Sequence, residues 1–444
     1  MQKSHFLISA PSSNSGKTTL TLGLLRALKN KGLDVQPFKC GPDYIDTHHH
    51  TTASGNPGIN LDTFMASEAH VRTIYGHYAE KVDVAVTEGV MGLFDGADKM
   101  QGSSAAIAEL LDIPVILVIN AKSMAYSAAP LLYGFKNFYK GIRVVGAIFN
   151  FVSTASHYRF LQEACEEVGI EALGYLPKNE AMAIPSRHLG LHISSETDYE
   201  SIIEKLAEEI PKTINIVRLL EISTREIIPN TELKPLAYRP VSAKKYKITI
   251  ARDEAFSFTY HQNIEALSCL GRITFFSPIH DKVLPETDFL YLPGGYPELF
   301  GDVLSENKSM LESIQSYCLQ GGLTFAECGG LMYLGKEIVT SDGMNFPMAN
   351  VLDCSTSMEN AKLTLGYRTI SWNDLELKGH EFHYSGFVEN ALETEPVTVK
   401  NAKGIELETQ LYRKRNTFAS YVHLYWGENY SFIEYLLKNF RQSR

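Results

Sequence analysis

Phe6-Leu7-Ile8-Ser9-Ala10 is a short apolar run, and Pro11-Ser12-Ser13-Asn14-Ser15-Gly16-Lys17-Thr18-Thr19 follows it directly. Leu20, Leu24 and Leu28 then recur at helical spacing, with Leu25 beside them, and Gly32 ends the segment. Strand, Ser/Gly turn, Gly-Lys-Thr and helix in that order form the context of a phosphate-binding P-loop. Backbone N–H groups at the start of such a helix cradle phosphates. Lys17 is placed to reach the β- and γ-phosphates of ATP, and the Thr18 hydroxyl to bind Mg2+. Ser15, Gly16 and Thr19 complete this loop. One position departs from the usual motif, which opens with Gly where Pro11 stands.

Working outward, strand candidates follow at Val35–Lys39, Val82–Thr87, Pro114–Asn120 and Val144–Asn150, with helical patterns between them. The 114–120 run is almost continuously apolar, as strands buried on both faces are. The pattern predicts α/β with a mostly parallel sheet. In such sheets ligands bind beyond the carboxyl ends of the strands. Three acidic residues are expected there: Asp43 and Asp46 after the second strand, and Glu88 at the start of Glu88-Gly89-Val90-Met91-Gly92-Leu93-Phe94-Asp95-Gly96. With phosphates and waters, such carboxylates suit Mg2+. A single Asp at a strand end is also a common helix cap or turn former. His48-His49-His50 is read as a polar loop near substrate, because three consecutive histidines do not converge easily on one ion.

The pattern weakens from about Pro185 to Lys245. Residues 199–222 look helical, and 223–245 carry Pro229, Pro235 and Pro240 without a period, as a linker does. A second α/β pattern starts at Lys247–Ala251, with strands at Arg272–Phe276, Phe289–Leu292 and Leu323–Ala326. Short alternating segments in 360–425 are expected to add antiparallel strands that close a mixed sheet. The division is therefore a P-loop domain at 1–195, a helical segment and linker at 196–245, and a second domain at 246–444.

That second half holds Leu323-Thr324-Phe325-Ala326-Glu327-Cys328-Gly329-Gly330, an apolar strand running into Cys and two glycines before a helical pattern. This is the layout of a nucleophile elbow. The helix N-terminus is expected to lower the Cys328 thiol pKa. The Gly329 N–H can form half of an oxyanion hole, and Gly295, in Pro293-Gly294-Gly295-Tyr296-Pro297-Glu298, can supply the second N–H. His423 is the candidate base, with His380 and His383 as rivals. Such a cysteine can attack the side-chain amide of glutamine and release ammonia. A P-loop domain can turn a carboxylate into an acyl phosphate that ammonia then displaces, with Mg2+ and lysines such as Lys17 and Lys39 offsetting the charge.

The chain has 444 residues and a net charge of −10, which argues against a bulk electrostatic nucleic-acid binder. Its six cysteines form no C-x-x-C pair, so neither a zinc site nor a disulfide framework is indicated. Without an apolar run of about 18 residues, no membrane span is expected. The start, Met1 to Ser13, has too short an apolar run for a signal peptide. A cytoplasmic enzyme is the expectation.

The stretches Ser15–Gly23, Phe38–Asp46, Asn60–Asp62, Glu88–Gly96, Ile184–Leu191, Pro293–Glu298, Ala326–Tyr333, Gly379–Ser385 and Tyr421–Leu424, in this order, carry a resemblance. Over nearly its whole length the chain resembles the cobyrinic acid a,c-diamide synthase family, glutamine-dependent corrinoid amidotransferases of cobalamin biosynthesis. The resemblance implies a dethiobiotin-synthetase-like half that binds ATP, Mg2+ and a corrinoid polycarboxylate, and a class I-like glutaminase half. It implies a ligase that amidates the a and c acetates of cobyrinate. By position, Cys328 takes the nucleophile role and His423 that of its activating histidine. Lys17 and Thr18 take the phosphate-loop roles, and Thr18, Asp46 and Glu88 the metal. Lys39, Asp43, Tyr44, Ile45 and Asp95 fall to substrate and acyl phosphate, and Asn150 to adenine. Two departures stand out. Ala10 replaces a Gly common in relatives, and Tyr425 occupies the position where ordinary class I glutaminases carry Glu, so the group that orients His423 is unassigned. Near neighbours amidate hydrogenobyrinate or nickel-sirohydrochlorin, or make cobyric acid. A P-loop switch ATPase with an inert glutaminase-like domain is the alternative from another class. No nucleic acid or membrane partner is expected, and a homodimer is admitted.

Overall fold

The computed structural model describes residues 2–179, 182, 184, 199–226 and 246–440. The Pro-rich segment at 229–240 and the stretch 185–191 lie outside the described residues. The chain divides into two compact units, Met1–Thr63 with Ser67–Leu236, and Phe64–Ala66 with Ala237–Arg444.

The first unit alternates strands and helices: β1 Gln2–Ser9, α1 Lys17–Asn30, β2 Val35–Cys40, α2 Tyr44–Ser54, β3 Ile59–Leu61, α3 Glu68–Ala79, β4 Val84–Glu88, α4 Ser104–Leu111, β5 Val115–Asn120, α5 Ala128–Asn137, β6 Val144–Val152, α6 Ala155–Val168 and β7 Glu171–Pro177. Then come α7 Tyr199–Thr213, α8 Ile216–Ser223 and β8 Thr224–Glu226. The sheet runs β3-β2-β4-β1-β5-β6-β7, parallel throughout, and β8 adds an antiparallel edge to β1. The chain winds one way from β1 to β2 and the other way to β5. The carboxyl end of β1 is therefore the switch point where such sheets bind ligands.

Phe6 and Ile8 of β1 pack with Leu20, Leu24 and Leu28 of α1 in one buried cluster. Ile203, Ala207 and Ile210 of α7 belong to the same cluster. Helix α7, set apart by sequence as a segment between domains, is thus part of the first core. Its amphipathic repeat buries Ile203, Leu206, Ala207 and Ile210. Arg26 of α1 is pinned to Glu200 at 2.6 Å and to Glu204, and also donates to the Ala53 carbonyl at 3.0 Å, tying α1, α2 and α7 together.

The second unit opens with β9 Tyr246–Ala251, α9 His261–Leu270, β10 Gly271–Phe276 and β11 Phe289–Leu292. A 3-10 turn at Pro297–Phe300, α10 Gly301–Glu306, α11 Lys308–Leu319, β12 Thr324–Glu327 and α12 Gly329–Leu334 follow. After them come β13 Glu337–Val339, β14 Asn345–Pro347, β15 Cys354–Ser357, β16 Thr364–Trp372, β17 Leu375–His383, β18 Gly386–Asn390, β19 Thr398–Asn401, β20 Tyr412–Lys414, β21 Thr417–Ser420, β22 Val422–Leu424 and α13 Ser431–Asn439. The main sheet, β10-β9-β11-β12-β21-β20, is parallel except for β20. Here the structure corrects a detail of the expectation. The Leu363–Arg368 and Tyr421–Leu424 segments do not close this sheet. They belong to a separate sheet, β19-β16-β17-β22, because β20 already occupies the free edge of β21. The β16–β17 hairpin turns on Asn373 and Asp374, both at positive φ, the conformation that suits a two-residue turn between twisted strands.

Candidate active sites

The first site sits at the switch point. Gly16, at φ 92°, turns the chain from loop into α1. A Cβ there would also lie 1.9 Å from Asn150 Nδ2, so the position excludes any side chain on two counts. Asn150, at the end of β6, donates to the Ser15 carbonyl at 3.2 Å and accepts from the Phe151 N–H at 2.9 Å. It braces the loop from below. Ser15 itself donates to the Ser12 carbonyl at 3.0 Å, closing the turn internally. Thr18 and Thr19 follow in the first turn of α1, both half-buried.

Lys17 is buried, and its Nζ donates to the Met91 carbonyl at 2.6 Å. The β4–α4 loop thus holds the lysine, which also reaches the Ser12 carbonyl at 3.4 Å, across the Ser12–Gly16 loop. Burial, helped by Lys39 and opposed by Glu88, brings the Lys17 ammonium down to about 8.

Behind the loop lies a closed charge cluster. The parallel register sets Lys39 of β2 beside Glu88 of β4, and Glu88 beside Ile8 of β1. Lys39 Nζ donates to Glu88 Oε1 at 2.9 Å and to Asp46 Oδ2 at 2.6 Å. Glu88 Oε1 also accepts from the Thr18 hydroxyl at 2.7 Å, and Oε2 pairs with His50 Nε2 at 2.7 Å. Glu88 has no solvent exposure. Burial alone would raise its pKa, but the Lys39 ammonium and His50 outweigh that and hold the carboxyl well below the usual range. Lys39 pays the same desolvation, and Asp46 and Glu88 more than repay it, so it stays charged. Its ammonium faces carboxylates rather than open space, so Lys39 is the hub of the cluster.

The remaining acids divide. Asp43 Oδ1 accepts from the N–H groups of Ile45 and Asp46, both at 3.0 Å, and so caps α2. Tyr44 and Ile45, its first-turn neighbours, are buried. Asp95 is exposed and accepts from the Gly92 N–H at 3.0 Å within its own loop. His48 is exposed, while His50 reaches inward to Glu88. That inward partnership was not legible from three adjacent histidines. Thr18 and Glu88 present hard oxygens within 2.7 Å of each other at the loop, a donor set that suits Mg2+ shared with phosphate oxygens and waters.

The second site is built at the end of β12. Cys328 adopts φ 48° and ψ −106°, a strained turn between strand and helix. Its N–H donates to the Ser420 carbonyl at 2.8 Å, which anchors the turn on β21. A Cβ on Gly329 would lie 3.0 Å from the Gly295 nitrogen, so the two proposed oxyanion donors are close neighbours. A Cβ on Gly294 would lie 2.1 Å from His423 Cε1. The glycine loop therefore lies directly against the imidazole on one side and the elbow on the other, which any side chain would prevent.

His423, on β22, is 1% exposed. Burial, aided by His380 and His383, lowers its pKa to about 3. The thiol does not behave as the sequence suggested. Burial, followed by the Glu298 charge, pushes Cys328 up, and the Gly329 N–H only partly opposes this. A six-residue helix does not offset full desolvation. Burial thus favours the neutral form of both the thiol and the imidazole.

Glu327 Oε2 lies 4.0 Å from His423 Nδ1. Glu327 immediately precedes Cys328. Its Oε1 accepts from the Leu424 N–H at 2.9 Å and its Oε2 from the Tyr291 hydroxyl at 2.7 Å. Burial raises it to about 8. Tyr425, at the position where ordinary class I enzymes carry Glu, packs edge-on to Tyr260 at 5.5 Å. His383 is held elsewhere: Nε2 pairs with Glu381 Oε1 at 2.9 Å, and the ring stacks on Tyr421 at 3.9 Å. Arg368 closes that network on Glu381 at 2.5 Å.

Similarity to known proteins follows the same division. Residues 6–191 match the CobQ/CobB/MinD/ParA nucleotide binding domain, and residues 247–430 the CobB/CobQ-like glutamine amidotransferase domain. A protein of Listeria monocytogenes named cobyrinate a,c-diamide synthase is 38% identical, covering 97% of this chain and 98% of its own. One of the same name from Caldanaerobacter subterraneus is 39% identical over 94% of each. A hydrogenobyrinate a,c-diamide synthase of Brucella suis is 38% identical, covering 94% of this chain and 98% of its own. Among the described residues, no helix is long and apolar enough to cross a membrane. With a nucleotide-binding unit, a glutamine amidotransferase unit and full-length relatives named as synthases, the chain is a carbon–nitrogen ligase and belongs to the cobyrinate a,c-diamide synthase family.

Proposed function

We propose that the protein amidates the a and c acetate carboxylates of cobyrinate, using ATP and glutamine and passing through acyl phosphates. The products are cobyrinate a,c-diamide, glutamate, ADP and phosphate. The observation that carries this reading is the strained Cys328 turn, with Gly329 against Gly295 and Gly294 against the His423 ring, in a chain that also holds the Lys17 loop.

In the glutaminase unit, His423 takes the thiol proton as Cys328 attacks the side-chain amide carbon of glutamine. The oxyanion meets the Gly295 and Gly329 N–H groups. The amide nitrogen leaves as ammonia, and water cleaves the thioester to glutamate. Glu327 is a positioning residue: it accepts from the Leu424 N–H, next to His423 on β22, and its Oε2 lies 4.0 Å from Nδ1. In the nucleotide unit, a substrate acetate attacks the γ-phosphate, ADP leaves, and ammonia displaces phosphate from the acyl phosphate. Lys17 follows the charge on the transferred group. Asn150 acts by holding the loop against Gly16. Thr18 and Glu88, with Asp46 behind them, would hold Mg2+, which when bound neutralises phosphate charge. Lys39 acts through Glu88 and Asp46, fixing their positions and ionisation, and Asp43 orders the first turn of α2 beneath them.

A second reading keeps the chemistry and changes the macrocycle to the cobalt-free hydrogenobyrinate, supported by the Brucella relative at the same identity. Mass spectrometry of each macrocycle incubated with protein, ATP, Mg2+ and glutamine tests both. Conversion of carboxylates to carboxamides on cobyrinate is the expected result. No amidation of either macrocycle would overturn the assignment.

A further inference from the structure

Glu298 lies in the 3-10 turn that follows the Gly294-Gly295 loop. The preceding Pro297 places its Cδ 2.8 Å from where a Cβ on Gly329 would stand, so the turn packs directly against the elbow. The residue as a whole is half-buried, yet its Oε2 is sealed from solvent and has no hydrogen-bond partner among the described residues. A buried acceptor left without a donor costs about 1–3 kcal/mol, so such groups call for an explanation. Burial raises this carboxyl to about 7, with its own backbone N–H opposing. After burial, Glu298 is also the largest influence that pushes the Cys328 thiol up. A lone carboxylate beside a nucleophile that needs to ionise works against catalysis unless something cationic arrives with the substrate.

Resting on the glutaminase reading, we propose that Glu298 is the acceptor for the α-ammonium of glutamine. Binding would then do two things. It gives the orphaned oxygen its donor, and it offsets the carboxylate that, after burial, most disfavours the thiolate. Glutamine with its amine in place would activate the cysteine that attacks it, while an amide lacking the amine would leave the thiol dormant. The selectivity is for free glutamine over other primary amides.

The test compares glutamine with glutaramate, the same side-chain amide without the α-amine, on the full-length protein. For the unaltered enzyme, kcat/KM is expected to favour glutamine by about tenfold to a hundredfold, the range of a charge-assisted hydrogen bond. In Glu298→Gln that preference collapses towards unity, chiefly through a higher KM for glutamine, while Glu298→Asp keeps part of it. A merely structural role would depress both amides together. If Glu298→Gln kept the full preference, or the unaltered enzyme showed none, the assignment to Glu298 would fall with the glutaminase reading intact. If the unaltered enzyme hydrolysed neither amide, the glutaminase reading itself would fall.

Discussion

The two sites solve opposite electrostatic problems. Around Glu88 the charges are paired, with Lys39 between Asp46 and Glu88, the Thr18 hydroxyl sharing Glu88 Oε1 with Lys39, and His50 on Oε2. Burial is outweighed, and the acid stays ionised. Around Cys328 burial prevails. His423 is driven down to about 3, and Glu327 and Glu298 rise to about 8 and 7. The lesson is that ion pairing keeps the buried acid of the first site ionised, whereas burial without such pairing pushes the groups around Cys328 towards their neutral forms.

The largest way to break this comparison is to remove the nucleophile. Cys328→Ala is expected to cut glutamine-dependent amidation by at least about a thousandfold, while ammonium salts still drive the reaction. Full glutamine-dependent turnover in steady-state assays would remove Cys328 from the mechanism. Next is the hub of the charged site. Lys39→Met leaves Glu88 and Asp46 buried without their cation, and a loss of about 3–5 kcal/mol in denaturant unfolding is expected. A loss below about 1 kcal/mol would show that the cluster does not depend on that pairing.

Gly16→Ala sharpens the same site. The added methyl meets Asn150 Nδ2, and positive φ strains the new residue. Nucleotide affinity by calorimetry is expected to fall about tenfold or more. An unchanged affinity would show that the loop does not need this turn.

The smallest effect separates the sites by pH. Glu327 sits above its unfolded value of about 4.3, so the stability it contributes as a buried neutral acid is complete below that value. That contribution is lost as pH rises through about 8. Glu88 runs the other way: its depressed pKa contributes stability above the unfolded value, lost as pH falls. The melting temperature of Glu327→Gln, relative to the unaltered protein, is therefore expected to climb by a few degrees between about pH 5 and pH 9. A flat difference would contradict the burial assigned to Glu327.

Much of this was legible in the sequence because strand ends announce themselves. Lys17, Glu88 and Cys328 each follow an apolar run, and a parallel sheet delivers such residues to one edge. What stayed hidden depends on pairing across the sheet. Strand β3 is only Ile59–Leu61, too short to show a period, yet it extends the sheet beyond β2. Helix α7 looked like a connector because its apolar stripe says nothing of which core it joins. Glu327 is hidden in the sequence because it lies 96 residues before His423. The register that brings β12 against β21, and then His423 near Glu327, is not written in sequence distance. The thiol failed for a different reason: a helix start is visible in sequence, but the depth at which it is buried is not.

The most direct test follows the nitrogen. Cobyrinate is incubated with the enzyme, ATP, Mg2+ and glutamine labelled at its side-chain amide, and the macrocycle is weighed by mass spectrometry. The account predicts labelled nitrogen in both the a and c amides, and no label when Cys328→Ala is used with unlabelled ammonium present. Glutamine hydrolysis with no label in the macrocycle, or label transfer by Cys328→Ala, would contradict it.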